Sequence, residues 1–158
     1  MNEQAKKNIL RKIPYGLYVI GLKNGDHCHA FTGSWFSQCS MKPPLVMLGV
    51  RVGTQSLGLI QKGKAFSVNF MAKTDKHILE QFFKPTPSGG NRFGTVPYTT
   101  KKTGAPVLED AVCYLECEVK NSLESGDHCV IIAEVVEAEI LRDQPPLTMS
   151  DTPWHYGG

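Results

Sequence analysis

Two alternating runs near the end of the chain constrain the fold more than any other feature. In the first, Cys113, Leu115, Cys117 and Val119 alternate with Tyr114, Glu116, Glu118 and Lys120. A Ser125-Gly126-Asp127 turn leads into the second, His128 to Leu141, where Glu134, Glu137 and Glu139 interrupt valines and isoleucines. Alternate residues of a strand point to opposite faces, so the pattern predicts two long strands, each with an apolar and a polar side. A tight turn joins them, and strands joined in this way must run antiparallel.

Other segments extend the sheet. Tyr15 to Leu22 is rich in β-branched and aromatic residues and runs into Asn24-Gly25, a strong hairpin signal of the type I′ kind, with the partner strand from His27 to Phe31. Pro43-Pro44 breaks the chain before an apolar run, Leu45 to Val50. In Ala65 to Met71, Phe66, Val68 and Phe70 alternate with Ser67 and Asn69, as a half-buried strand would. Two short helices are predicted between strands. One runs from Thr54 to Gly63, capped by a hydroxyl and closed by glycine; the other is capped by Thr74, runs to Phe83 and is stopped by Pro85. Residues 85–104, with three prolines and four glycines, read as a long loop of the kind that serves as a lid or binding loop. Residues 1–12 form a lead-in, and a short amphipathic helix is expected there. Six antiparallel strands with two or three short helices favour a closed or split barrel, mostly β, over a parallel sheet. At 158 residues one domain spanning 1–158 is expected.

Composition narrows the classes of partner. A net charge of +2 without runs of like charge disfavours nucleic acid and membrane surfaces. No apolar core of a secretory signal or membrane span is apparent, and the reading is cytoplasmic. Five cysteines is an odd number at no framework-like spacing. Cys113 and Cys117 would stand roughly 13 Å apart along one strand, beyond the ~7 Å a disulfide tolerates between Cα atoms. Reduced thiols are expected.

Walker, dinucleotide-fingerprint, zinc-protease and nucleophile-elbow motifs are all missing from the sequence, so any nicotinamide would bind transiently and not in a Rossmann domain. His27, Cys28 and His29 do not promise a metal site, because only the two histidines share a strand face. Thr32 to Ser40 is more informative: hydroxyls, an amide and two aromatics precede Pro43-Pro44. A segment lining a flat heteroaromatic ring needs this mixture, although an edge strand with surface serines would share it. Arg51 with Thr54, Gln55 and Ser56 could cradle a phosphate at a helix start, or be an ordinary cap beside a surface arginine. Gly25-Asp26-His27-Cys28 and Gly126-Asp127-His128-Cys129 echo one another, too briefly to mark a duplication.

Taken in order, these segments resemble the flavin reductase-like family of FMN-binding split barrels. Ser34-Trp35-Phe36-Ser37-Gln38 through Pro43-Pro44 resembles its flavin-lining motif, in the version found in the flavin reductase-like domain of cyanobacterial flavodiiron proteins. Lys64 to Phe70 is similar to the strand after its first helix, Gly104 to Val119 to its "G-x-P-x-L-x-x-A … L-E-C-x-V" stretch, and Gly126-Asp127-His128 to its last hairpin. Gln38 and Ala133 depart from residues common in the family, and the 85–104 loop matches loosely around Asn91-Arg92-Phe93. The resemblance implies a six-stranded Greek-key split barrel, a homodimer, and FMN (FAD less so) bound at the subunit interface. Ser34, Trp35, Phe36, Ser37 and Gln38 would line the ring, and Arg51, Thr54, Gln55 and Ser56 would meet the phosphate. His128 and Arg92 would face a nicotinamide or other acceptor. The implied activity is NAD(P)H-dependent flavin reduction, with no protein acid or base assigned. A non-catalytic flavin or haem carrier or sensor on the same fold is the alternative.

Overall fold

The structure is a computed structural model and describes residues 1–84 and 86–158. The predicted hairpin is its longest element. Strands β10 (Cys113–Ser125) and β11 (His128–Ile140) pair antiparallel across the middle of the sheet. Leu115, Cys117 and Val119 face a core shared with Cys129, Ile131 and Ala133. Register shifts after Glu116 and after Val119 add one residue first to β11 and then to β10, which curls the ribbon.

The rest of the sheet is laid down on both sides. β5 (Ala65–Phe70) pairs with β10, β1 (Tyr18–Asn24) with β5, and β2 (His27–Gly33) with β1; on the other side β4 (Leu45–Arg51) pairs with β11. These are the six predicted strands. Two more extend the edges: β3 (Phe36–Ser40) beside β4, and the two-residue β6 (Thr86–Pro87) beside β2. The order β3-β4-β11-β10-β5-β1-β2-β6, antiparallel throughout, is that of a split barrel. Helix α2 (Gln55–Gly63) packs Leu57 and Ile60 onto Ile20, Leu22, Phe66, Val68 and Ile131. The lead-in forms α1 (Glu3–Leu10), capped by Asn2, with no buried residue.

Both echoing turns have one cause. Asn24 pairs with His27 and Ser125 with His128, leaving Gly-Asp as the two central residues. Only the glycines, Gly25 (φ 62°) and Gly126 (φ 84°), have positive φ. Glycine first and an ordinary residue second is the type II′ arrangement, so the expected type I′ turn at Asn24-Gly25 is corrected. Helix ends differ too. Lys64 (φ 56°), not Gly63, is the left-handed residue closing α2. Thr74 caps no helix: Lys73–Asp75 is a 3₁₀ turn and α3 spans only Lys76–Glu80. The stop expected at Pro85 lies outside the described residues.

The largest correction concerns the expected loop. Beyond β6 it carries β7 (Arg92–Phe93) and β8 (Val96–Thr100), which with β9 (Pro106–Leu108), just past its end, form a small antiparallel flap. Phe93, Val96, Tyr98 and Leu108 form a second core with Val19, Met71, Leu79 and Phe82. The flap therefore buries what a two-faced strand would leave wet. Ser67 and Asn69 are fully buried, and Glu116 is buried as well. Asn69 is the hub: its Nδ2 donates to the Val19 carbonyl at 3.0 Å and its Oδ1 accepts from the Leu108 amide at 2.8 Å. Ser67 donates its hydroxyl to the Pro106 carbonyl. Gly21 makes room for the crossing, since a Cβ there would lie 2.5 Å from the Pro106 oxygen. Glu116 accepts from the amides of Lys102 and Thr103 at 3.0 and 2.8 Å.

Asn69→Ala strands the buried Leu108 amide, an orphan that costs about 1–3 kcal/mol, and removes the side-chain bond to the Val19 carbonyl as well. A loss of about 3 kcal/mol in urea unfolding is expected. A loss below about 1 kcal/mol would show that the flap is not held by this residue.

Candidate functional site

Five of the predicted residues converge. Ser34, Trp35, Arg51, Thr54 and Ser56 line one cleft of about 240 Å³. Ser34 and Trp35 are the two residues between β2 and β3, where the chain leaves one strand for the next. The Trp35 carbonyl accepts from the Gly49 amide at 2.8 Å. The indole lies against Gly49, where a Cβ would come within 3.2 Å of it, so glycine permits this seat.

The opposite wall is the start of α2. Thr54 is its N-cap, its Oγ1 accepting from the Leu57 amide at 3.3 Å and donating to the Arg51 carbonyl at 2.8 Å. That hydroxyl's single proton is thereby committed. What remains for an anion is the Arg51 guanidinium, the Ser56 hydroxyl and the amides at the helix start, which have no intrahelical acceptor. These donors fit a phosphate, and Ser34 with the Trp35 indole fits the edge and face of a flat ring.

Other predicted residues are placed elsewhere. Phe36 turns into an aromatic cluster with Tyr18 at 5.1 Å and Phe70 at 6.5 Å. Ser37 and Gln38 are exposed on β3, with the Gln38 amide donating to the Ser40 carbonyl. Gln55 is exposed on the first turn of α2. Arg92 lies on the flap, its guanidinium donating to the Thr95 carbonyl.

His128 reaches the cleft indirectly. It pairs with Arg51 across β11 and β4, and its ring sits 4.3 Å from that of Trp35. Nδ1 is 2.7 Å from the Asp127 carboxylate and Nε2 is 2.7 Å from the Tyr156 hydroxyl. The hydrogen bond from His128 holds the Asp127 carboxyl below its ordinary value, so Asp127 accepts and Nδ1–H donates. In a neutral ring Nε2 must then accept from Tyr156. Burial pushes the Tyr156 phenol up, which keeps that proton in place.

Thr32, Phe83 and Tyr156 also line the cleft, and the last two escaped the sequence reading as site residues. Thr32 sits within the segment singled out as ring-lining, and its hydroxyl donates to the Leu79 carbonyl at 2.9 Å, tying β2 to α3. Tyr156 could have been noticed from the aromatic cluster Trp154-His155-Tyr156 followed by two glycines. Among the described residues no three His, Cys, Asp or Glu side chains gather as a metal would require.

Comparison with known proteins shows the family. The model of the flavin reductase like domain matches residues 10–156. Diflavin flavoprotein A 1 of Synechocystis is 34% identical over 132 residues, 83% of this chain but only 23% of that protein. The chain thus spans about a quarter of the length of such curated relatives. Among solved structures, flavin reductase PheA2 superimposes with a TM-score of 0.80 at 27% identity, covering 94% of this chain and 93% of its own. The NADH:FAD oxidoreductase SgcE6 of Streptomyces globisporus, in complex with NAD and FAD fragments, gives 0.81 at 23% identity, covering 94% and 87%. With most of its length matched by one domain model and a relative at 34% identity, the chain belongs to the flavin reductase-like domain family.

Proposed function

We propose that this domain binds a flavin, FMN before FAD, in the cleft between Trp35 and the start of α2, and that it reduces that flavin with NAD(P)H. One observation carries the reading. Ser34 and Trp35, from the motif identified for ring contact, share a single cleft with Arg51 and Ser56, identified for phosphate contact. Four residues from two distant segments converge where each is needed. The anion cradle offers donors for a terminal phosphate, the group that FMN carries and riboflavin lacks. Kinship with a flavin reductase at 27% identity supports reduction as the chemistry.

The chain's part is binding and orientation. Trp35 offers an aromatic wall stiffened by His128, and Ser34 offers a short donor or acceptor at the ring's polar edge. Arg51 and the helix start neutralise phosphate charge. When bound, a flavin supplies the redox chemistry itself, taking up a hydride and passing electrons on. Five free thiols fit a reducing compartment, and we place the domain in the cytoplasm. No helix among the described residues is long and apolar enough to cross a membrane.

The decisive test is spectroscopic. Protein loaded with FMN under argon should lose its visible flavin band within seconds of adding NADH or NADPH. A band that persists with both nucleotides would reassign the domain as a carrier. The phosphate cradle is tested separately. Arg51→Ala removes a charge-assisted contact of about 1.5–3 kcal/mol, so FMN should weaken roughly tenfold to 150-fold while riboflavin changes little. Equal losses for both ligands would make Arg51 a stability residue.

We also propose a homodimer. A groove of about 560 Å³ beside the cleft is lined by Leu10, Ile13, Phe36, Met47 and Val130, several of them substantially exposed. Contiguous apolar surface of this kind is unusual on a monomer. Light scattering at micromolar concentration should give twice the chain mass; the mass of one chain would refute the dimer.

A further inference from the structure

The cleft has a near neighbour. A second cavity of about 370 Å³ is lined by Leu17, Met149 and Trp154, and it shares Thr32, Gly33, Ser34, Phe83 and Tyr156 with the first. Tyr156 thus stands on the common border of the two spaces. It is itself part of neither the barrel nor the flap. It belongs to residues 152–158, which follow the last 3₁₀ turn (Met149–Asp151) and form no regular element.

Several contacts hold this segment down. Trp154 packs edge-on against Phe83 at 4.7 Å. The Gly157 carbonyl accepts from Arg11 Nε at 3.3 Å. The Tyr156 hydroxyl, 2.7 Å from His128 Nε2, makes the shortest of them, and its ring also meets the Trp35 indole at 5.2 Å. Gly157 lies directly over that indole with φ 82°, where a Cβ would come within 2.9 Å of Cζ2. Closure therefore requires glycine at this position twice over, for conformation and for space.

Closure also has a cost. With the segment down, the buried Trp35 Nε1 has no hydrogen-bond partner. A buried indole N–H usually finds one, so the closed arrangement is held against a penalty. It also leaves the cleft at about 240 Å³, below the roughly 300–1,000 Å³ of ordinary small-molecule sites. A tricyclic ring with a sugar-phosphate tail needs more room than that.

We infer that residues 152–158 are a strap that closes the cleft against its ligand, and that the Tyr156–His128 hydrogen bond is its latch. Tyr156 is a positioning residue of the closed state, not a contact of the bound state. The inference rests on the reading of this cleft as a flavin site. It has an unusual consequence: a ligand that binds only the open state has its affinity reduced by the fraction open. Removing the latch hydroxyl should therefore improve binding.

The test compares wild type with Tyr156→Phe, which keeps the ring and loses only the hydroxyl, and with Gly157→Ala, which disturbs closure by another route. Hydrogen–deuterium exchange is first measured in the flavin-free proteins. Losing one hydrogen bond of ordinary net worth should raise exchange in residues 152–158 roughly twofold to tenfold, with the barrel strands unchanged. Stopped-flow binding of riboflavin, which carries the ring without the phosphate, should then show a faster association rate by a similar factor in both variants. The dissociation rate should stay near wild type, and the apparent affinity should tighten. Weaker binding by Tyr156→Phe would make Tyr156 a ligand contact and overturn the strap. An unchanged association rate, or unchanged exchange in residues 152–158, would overturn the latch. If no protein binds riboflavin or FMN, the flavin reading falls, and the exchange rates alone decide whether Tyr156 latches the segment.

Discussion

The pairing of β10 with β11 is the interaction on which the remaining structure hangs. Thirteen residues on each side make it the longest ladder among the described residues, and it lies inside the strand order, with two strands beyond it on one side and four on the other. One outer edge of the ribbon receives β5, and through it β1 and β2; the other receives β4 and β3. A central ribbon that curls at two bulges bends everything paired to it, which is how an open strand order becomes a half-closed barrel. The tip of the ribbon matters in its own right. The Gly126-Asp127 turn sets the register in which His128 opposes Arg51, and so brings the last hairpin up to the helix that begins four residues after Arg51.

The cleft is a seam between elements and not the property of any one of them. Its floor is the junction of β2 and β3, its cationic wall is the end of β4 with the start of α2, and its rim is the end of the α3 region and the 152–158 segment. Seams of this kind suit ligand binding because backbone donors at strand and helix ends are free there, while the strands behind them are locked. His128 illustrates the division of labour. It is positioned by the ladder, held by Asp127, and presents a stiff partner to Trp35 and Tyr156 without itself lining the cleft.

The barrel was legible because its strands obey a simple alternation. Leu115, Cys117 and Val119 all face the core that their spacing predicts. Legibility ended where a second layer covers a face that would otherwise be solvated. Ser67, Asn69 and Glu116 look like solvent residues in the sequence, and only long-range crossing by residues 100–108 makes them interior. Nothing local announces such a crossing. The same limit applies to the site. Ser34, Trp35, Arg51 and Ser56 were readable as two motifs, because each carries its chemistry within a few residues. Phe36, by contrast, sits next to Trp35 in sequence and turns the other way, as strand geometry requires once β3 begins there. Tyr156 has no sequence neighbour in the site; its role depends on a chain path of 28 residues back to His128.

Buried polar groups join the fold to the site in one continuous path. A backbone segment crossing the face of a sheet must satisfy its own amides and carbonyls, or the crossing is too costly to persist. Asn69 does this for Val19 and Leu108, Ser67 for Pro106, and Glu116 for Lys102 and Thr103. With its ends tied at these points, the flap can place Phe93 against Phe82 at 5.4 Å. Phe82 in turn accepts the Thr32 amide on its carbonyl at 2.8 Å, which pins the end of the α3 region to β2. The next residue is Phe83, at the rim of the cleft and under Trp154. The polar interior that the alternation failed to anticipate is therefore what fixes the wall on which residues 152–158 rest. The cleft thus has a wall tied into the polar interior on one side and residues 152–158, resting on that wall through Trp154, on the other.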